Sequence, residues 1–352
     1  EFFGESINLS SDGSNIAVGA PYYDDIENNR GRVQVFEFNQ GVWIPKGQEL
    51  KGEINDLFGR KLKLSSDGLT LAVNVPARDD DLNNSILPGT VKVFEYNQGI
   101  WIPKGQDING LPFISGTSSQ IDLNSDGNIL AISHPDTFNT GVDYGIVRIF
   151  EYDQGNWTQV GQNINGNPSG FVLERFGNSI SLSSDGNIIA ISAVFKEVNN
   201  VEAAGQVRIF KKVNSSWIKI GNDINGNFEY DAFGRSVMLN SDATKLAIGT
   251  SENSENEVDS GSVKVYDLRN ILSVNDNLTF NFNLYPNPTK NQFRIQLNDV
   301  SVLENVTVYN MLGQVVLISK ELIVNTSRLT SGTYIVEIQT NQGKASKRLI
   351  IN

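Results

Sequence analysis

Leu62-Lys63-Leu64-Ser65-Ser66-Asp67-Gly68-Leu69-Thr70-Leu71-Ala72-Val73 is the stretch whose reading decides the fold. Leu62 and Leu64 alternate with Lys61 and Lys63, the period-two pattern of a half-buried strand. Ser65-Ser66-Asp67-Gly68 then reads as a tight hairpin turn: an Asp side chain can bond its own backbone, and Gly accepts a positive φ. Leu71-Ala72-Val73 is apolar on both faces, as a fully buried strand is.

The same sentence is spelled five times. Asp12, Asp67, Asp126, Asp185 and Asp242 each follow a serine, at spacings of 55, 59, 59 and 57 residues. Leu9, Leu64, Leu123, Leu182 and Leu239 lie three residues before these aspartates, and Ala17, Ala72, Ala131, Ala190 and Ala247 five residues after. A repeat of this length, made of short strand-like runs, predicts an all-β propeller of four-stranded blades. The alanine suits an inner strand where blades crowd the axis.

Working outward, a long loop is expected from about Pro76 to Gly89, then a third strand through Val91, Val93 and Phe94. Asn97-Gln98-Gly99 makes the next turn, and Trp101-Ile102 opens a fourth strand ending near Gly105. A further loop through Ile108-Asn109-Gly110 leads to the next repeat. Third strands recur at Val33-Val35-Phe36, Val147-Ile149-Phe150, Val207-Ile209-Phe210 and Val263-Val265-Tyr266, and fourth strands start at Trp43, Trp157 and Trp217. The four tryptophans read as blade-packing anchors rather than ligand-stacking platforms. In such a meander the two short turns share one face. The two long loops share the other, which is the default binding surface. The repeats run about 1–57, 58–116, 117–175, 176–232 and 233–269. The fifth stops after its third strand, near Leu268, and the first opens with its first strand. A fourth-type strand upstream of Glu1 is therefore expected to complete the last blade and close the ring. With no Met and no signal peptide at Glu1, the N-terminus is expected to be missing or processed.

Composition narrows the partners. The 352 residues carry a net charge of −12, which argues against nucleic acid and anionic membrane surfaces. No run approaches the ~20 apolar residues of a membrane span. Cysteine is absent and His134 is the one histidine, so a thiolate site, a cysteine nucleophile or a zinc cluster has no material. No Gly-x-Ser-x-Gly elbow or phosphate-cradling glycine loop occurs. His134 reads as a satisfied or exposed loop residue.

Phe3-Gly4 opens the first repeat and Val18-Gly19-Ala20-Pro21 follows its second strand. Phe58-Gly59, Phe176-Gly177 and Phe233-Gly234 recur at the same offset, while the third repeat has Thr117-Ser118 there. Residues 1–270 thereby resemble the FG-GAP repeats of integrin-type propellers and many bacterial surface proteins. That resemblance implies, in some members, a calcium loop of alternating aspartates between the first two strands. Here that place holds a single carboxylate, too few for a site wanting six to eight oxygens, and the aspartates are expected to be turn formers. Acidic residues do gather in the long loops, with Asp24, Asp25 and Glu27 in the first and Asp79, Asp80 and Asp81 in the second. Glu252, Glu255, Glu257 and Asp259 follow in the fifth. They read mainly as solubilising surface charge. Asp24, Asp25, Asp79, Asp80 and Asp81 are the candidate ligands if a divalent cation such as calcium binds, and no other cofactor is expected. A glycosidase-like carboxylate pair there is the enzymatic alternative.

Composition changes after Leu268. Residues 270–283 read as an Asn-rich linker. Residues 284–352 carry alternating strands with Gly and Asn turns, a small Ig-like β-sandwich. Tyr285-Pro286-Asn287-Pro288, Gly313, Gly332-Thr333-Tyr334 and Lys347-Arg348 give this stretch a resemblance to the type A C-terminal sorting domain of the Bacteroidota type IX secretion system. The resemblance implies export with a signal peptide and passage through the outer membrane by the type IX machinery. It further implies cleavage near the linker by a surface sortase, which leaves the cargo anchored to lipopolysaccharide or released. The expected protein is a secreted or surface-attached, non-catalytic binding or adhesion propeller, monomeric, with an extracellular protein or glycan as ligand. A hydrolase using the acidic face or an upstream domain is the first alternative. A structural surface component that self-assembles is the second.

Overall fold

The computed structural model describes residues 2–24, 29–76, 78–80, 85–87, 89–111, 120–135, 144–167, 174–252, 260–269, 282–297, 302–311, 314–340 and 343–352. It divides into two compact units, Glu1–Arg269 and Asn270–Asn352.

The first unit is a β-propeller of five blades, numbered here I to V. The innermost strands are Ser6–Leu9, Leu62–Leu64, Ile121–Leu123, Phe176–Leu182 and Ser236–Leu239. Each turns through its Ser/Asn-Asp corner into a second strand: Asn15–Ala20, Thr70–Val75, Ile129–His134, Ile188–Ala193 and Lys245–Thr250. Third strands follow at Arg32–Asn39, Thr90–Asn97, Ile146–Asp153, Gln206–Val213 and Ser262–Asp267. Fourth strands are Val42–Pro45, Ile100–Pro103, Asn156–Gln159 and Ser216–Asn225. Neighbours pair antiparallel throughout, and among the described residues blade V has three strands.

Local chemistry explains the corners. In blade II, Asp67 Oδ1 accepts from Ser65 Oγ at 2.6 Å and from the Leu69 N–H at 2.9 Å. Gly68 sits at φ +69°. The outer hairpin turns on Gln98 (φ +48°) and Gly99 (φ +93°) between paired Asn97 and Ile100, the two-residue geometry that matches strand twist.

Three features differ from the expectations. The stretch 76–89 is not plain loop: Arg78–Asp80 and Ser85–Leu87 pair as a small hairpin. Ile108–Asn109 is not loop either. It pairs with Val91 and Thr90, so the fourth strand breaks after Pro103 and resumes on the same neighbour, as Leu50–Lys51 and Ile164–Asn165 also do. The tryptophans are not alike. Trp101, Trp157 and Trp217 are each 3% exposed, whereas Trp43 is 44% exposed. Each buried indole packs against the preceding blade, and among the described residues no blade packs on Trp43 in that way.

The second unit is a two-sheet sandwich. One sheet orders Asn283–Tyr285, Gln292–Gln296 and Ile323–Asn325. The other orders Val315–Ser319, Leu303–Tyr309, Gly332–Thr340 and Gly343–Ile351. Alternate residues Tyr334, Val336 and Ile338 face a core that also holds Phe282, Phe293, Val306, Val308 and Leu349, the inward alternation a sandwich requires.

Candidate functional site

Three devices recur between successive blades: a serine ladder at all four joints, a Gln–Trp clasp at the first three, and a Phe-Gly pair at every joint but that between blades II and III. The corner serines form a backbone ladder around the axis: Ser11 N–H donates to Ser66 O, Ser66 to Ser125, Ser125 to Ser184 and Ser184 to Ser241, at 2.9–3.0 Å. At the rim, the Gln48 side-chain amide bonds both backbone groups of Trp101, accepting at 2.9 Å and donating at 2.7 Å. Gln106 does the same to Trp157, and Gln162 to Trp217. The indole N–H of each tryptophan donates to the preceding blade, to Lys46 O, Lys104 O and Val160 O. Between these, the Phe-Gly pairs fill the joint. Phe58, Phe176 and Phe233 are buried. Gly59 (φ +90°) and Gly177 (φ +91°) lie so close to the previous blade that a Cβ would stand 2.6 Å from Val33 Cγ2 and 2.8 Å from Ser133 Cβ.

The innermost strands enclose an axial cavity of about 340 Å³. Its wall is polar because in three blades the middle residue of the inner strand reaches the backbone of the next. Asn8 Oδ1 accepts from Leu64 N–H, Asp122 Oδ2 from Leu182 N–H and Ser181 Oγ from Leu239 N–H. Lys63 cannot accept, and instead pairs with Asp122 Oδ1 at 2.8 Å. Blade V has Met238 at this place. The cavity can take a small polar ligand by hydrogen bonds from Lys63, Asn8 and the corner serines.

On the long-loop side, acids precede the buried phenylalanines by two residues, and Asp56, Glu174 and Asp231 are all buried. Glu174 is the best defined. Its Oε1 meets Arg208 Nη2 at 3.0 Å and its Oε2 meets Lys196 Nζ at 2.9 Å, while Arg208 Nε donates to Gln206 Oε1 at 2.6 Å. A blade away, Arg148 Nη2 donates to Asn109 O at 2.9 Å and stands 3.0 Å from His134 Nε2. His134 is thus a satisfied core residue and not a loop residue. It ends the second strand of blade III, where the sandwich of blades excludes water. Burial, and then the Arg148 charge, push its imidazole down to about 3.

A pH prediction follows from His134. An unfolded histidine titrates near 6.5, while the folded one takes a proton only near 3. Between those values the unfolded chain binds more protons, so stability falls as pH drops, by up to about 1.4 kcal/mol per pH unit from this group. Urea melts of H134Q, whose amide still offers Arg148 an acceptor, should show a shallower acid limb between those pH values. An unchanged limb would contradict this placement.

The sequence-derived candidates fare unequally. Asp24 is exposed, and its Oδ1 accepts from the Asn29 N–H, closing its own loop. Asp79 and Asp80 lie on the small hairpin. Asp25 and Asp81, with Glu27, Glu255, Glu257 and Asp259, fall outside the described residues. Among the described residues no three His, Asp or Glu side chains gather as a metal cluster. The corner aspartates serve their turns: Ser10 Oγ and then Ser14 hold the Asp12 carboxyl down to about 2.

In the second unit the motif pieces converge. Asn287 Oδ1 accepts from Ile350 N–H at 2.9 Å and its Nδ2 donates to Arg348 O at 2.8 Å, so Pro286-Asn287-Pro288 lies along the final strand. Gly332, Thr333 and Tyr334 pair with Ile351, Ile350 and Leu349 of that same strand. Lys347 Nζ lies 5.5 Å from the Phe282 ring centroid. Tyr285 is exposed, and Gly313 falls outside the described residues.

Residues 283–352 match the secretion system C-terminal sorting domain family. That domain marks the chain for export to the cell surface or the medium by the type IX secretion machinery, and among the described residues no helix is long and apolar enough to cross a membrane. No curated protein matches the sequence. Among solved structures, a putative 6-phosphogluconolactonase from Bacteroides uniformis is similar at 14% identity over 75% of this chain and 80% of that one, with a TM-score of 0.41. The periplasmic gluconolactonase of Pseudomonas aeruginosa is similar at 12% identity over 99% and 85%, with a TM-score of 0.46. No activity passes from either to this chain.

Proposed function

We propose that residues 1–269 form a non-catalytic binding propeller that a Bacteroidota cell displays or releases, with the C-terminal unit as its cleavable export address. The observation that carries this reading is the sorting-domain match over 283–352, set behind a propeller whose buried Asp122 and Glu174 already have structural partners. Asp122 is engaged by Lys63 and the Leu182 N–H, and Glu174 by Arg208 and Lys196. Asp12, Asp185 and Asp242 are held as anions inside their own turns. We also read the blades as FG-GAP-like, because Phe58-Gly59, Phe176-Gly177 and Phe233-Gly234 perform one packing task. The ligand is an extracellular protein or glycan taken on the long-loop face.

Deleting 283–352 tests the address. The truncated propeller should be retained inside the cell while keeping its thermal melt, and normal export of it would refute the reading. The D24N variant separates binding from hydrolysis: glycan turnover lost in D24N would favour the enzymatic alternative.

A further inference from the structure

The joint between blades II and III departs from the other three, and its departures meet at one buried guanidinium. In the other joints a phenylalanine sits against a glycine of the preceding blade. A Cβ on Gly52, Gly166 or Gly226 would strike the Cβ of Phe58, Phe176 or Phe233 at 2.5–2.8 Å. Gly110 keeps that place between blades II and III, yet the nearest neighbours of a Cβ there would be backbone atoms of Gly89. The sequence has Thr117 at the phenylalanine's position. A cavity of about 10 Å³ lies here, its lining including Asn74, Gly89, Ile108, Gly110, Ile132 and Arg148. That is room for about one water-sized or halide-sized particle.

Arg148 is 8% exposed and corresponds to Arg208 one blade on. Arg208 has two acceptors from the chain: Gln206 Oε1 for its Nε at 2.6 Å, and Glu174 Oε1 for its Nη2 at 3.0 Å. Neither has a counterpart at Arg148. Ile146 stands at the Gln206 position, and the sequence has Ser115 where Glu174 would be. Arg148 Nη2 meets neutral partners, Asn109 O and His134 Nε2, and its Nε is buried with no acceptor. Burial, with no carboxylate to oppose it, pulls the guanidinium down to about 10. A buried charge in that state is costly unless a counter-ion joins it. Asn74 is 1% exposed, and its Oδ1 also has no partner. A half-turn about its last torsion presents the N–H group instead, a second donor for an anion.

We propose that the cavity between blades II and III binds one small monovalent anion, of chloride size, on Arg148 Nε and the Asn74 amide. The ion does in this joint what the Glu174 carboxylate does in the next: it balances a guanidinium that the blades have closed off from water. One positive charge needs one negative charge, and the space is too small for phosphate or sulfate. The apolar wall of Ile108 and Ile132 asks for an ion that gives up its water readily, as a halide does.

Thermal melts of the full 352-residue chain in sodium chloride and in sodium gluconate, at matched ionic strength, test it. Gluconate is too large for the cavity, so the comparison removes general screening. The difference in melting midpoint between the two salts should grow with chloride and saturate, as mass action at one site requires. In R148M that difference should vanish. A wild-type crystal soaked in sodium bromide gives a reading that does not depend on how the variant folds, and an anomalous peak beside Arg148 Nε is the expected result. Equal melts in the two salts overturn the proposal, since the cavity then holds water or nothing. A chloride effect that persists in R148M overturns it too, because the ion would act elsewhere, and so does a bromide-soaked crystal with no peak at Arg148.

Discussion

Replacing Trp157 by alanine is expected to destabilise the propeller by about 3–5 kcal/mol, read as a fall in the urea midpoint of residues 1–269. The indole is 3% exposed, packs on Tyr152 at 5.3 Å between centroids, and donates to Lys104 O at 2.7 Å. Truncation leaves a cavity in the joint between blades II and III, together with a carbonyl that has lost its donor. W43A removes the same residue type from the same place in its blade, yet the indole there is 44% exposed. Its expected cost is smaller, about 1–2 kcal/mol, because only about half of the indole leaves water on folding. Equal losses in the two variants would mean that the tryptophans act within their own blades and not across the joint.

E174Q is the second large effect, at about 3–5 kcal/mol. The carboxylate is 1% exposed and balances Arg208, which is itself 4% exposed, as well as Lys196. Glutamine keeps the shape but removes the charge, leaving the buried guanidinium without a counter-ion. Removing both partners is a different matter. A well-packed E174L/R208M pair should cost less than E174Q alone, since neither charge then needs desolvating. A double-variant cost equal to the sum of the singles would show that Glu174 and Arg208 are not coupled.

What could be read in the sequence depends on how local the cause is. Strand periodicity, the Ser-Asp-Gly corners and the Gln-Gly hairpins are decided within about ten residues, so the five blades are visible in the chain as written. The joints between blades are not local. Trp43 and Trp157 look identical in sequence because what distinguishes them is a neighbour some 50 residues away. Signals for the joints did exist: Gln48, Gln106 and Gln162 each follow a tryptophan by five residues, and Asn222 stands at that offset after Trp217. Asp56, Glu174 and Asp231 stand two residues before a Phe-Gly pair. Each is a recurring polar residue whose meaning appears only when blades are stacked. That His134 has a partner can be read from the sequence, but its burial cannot, since that comes from Arg148 and the neighbouring blade rather than from its own strand. In the C-terminal unit the motif pieces could be named from sequence. Their convergence on the last strand, through the Asn287 side-chain amide, needed the three-dimensional pairing.

The most direct test of the central claim is the intact mass of the protein recovered from the surface or medium of the cells that make it. A C-terminus within 270–283 is the predicted result, showing a propeller delivered and its address removed. Exported protein that still ends at Asn352 would contradict the cleavable-address account.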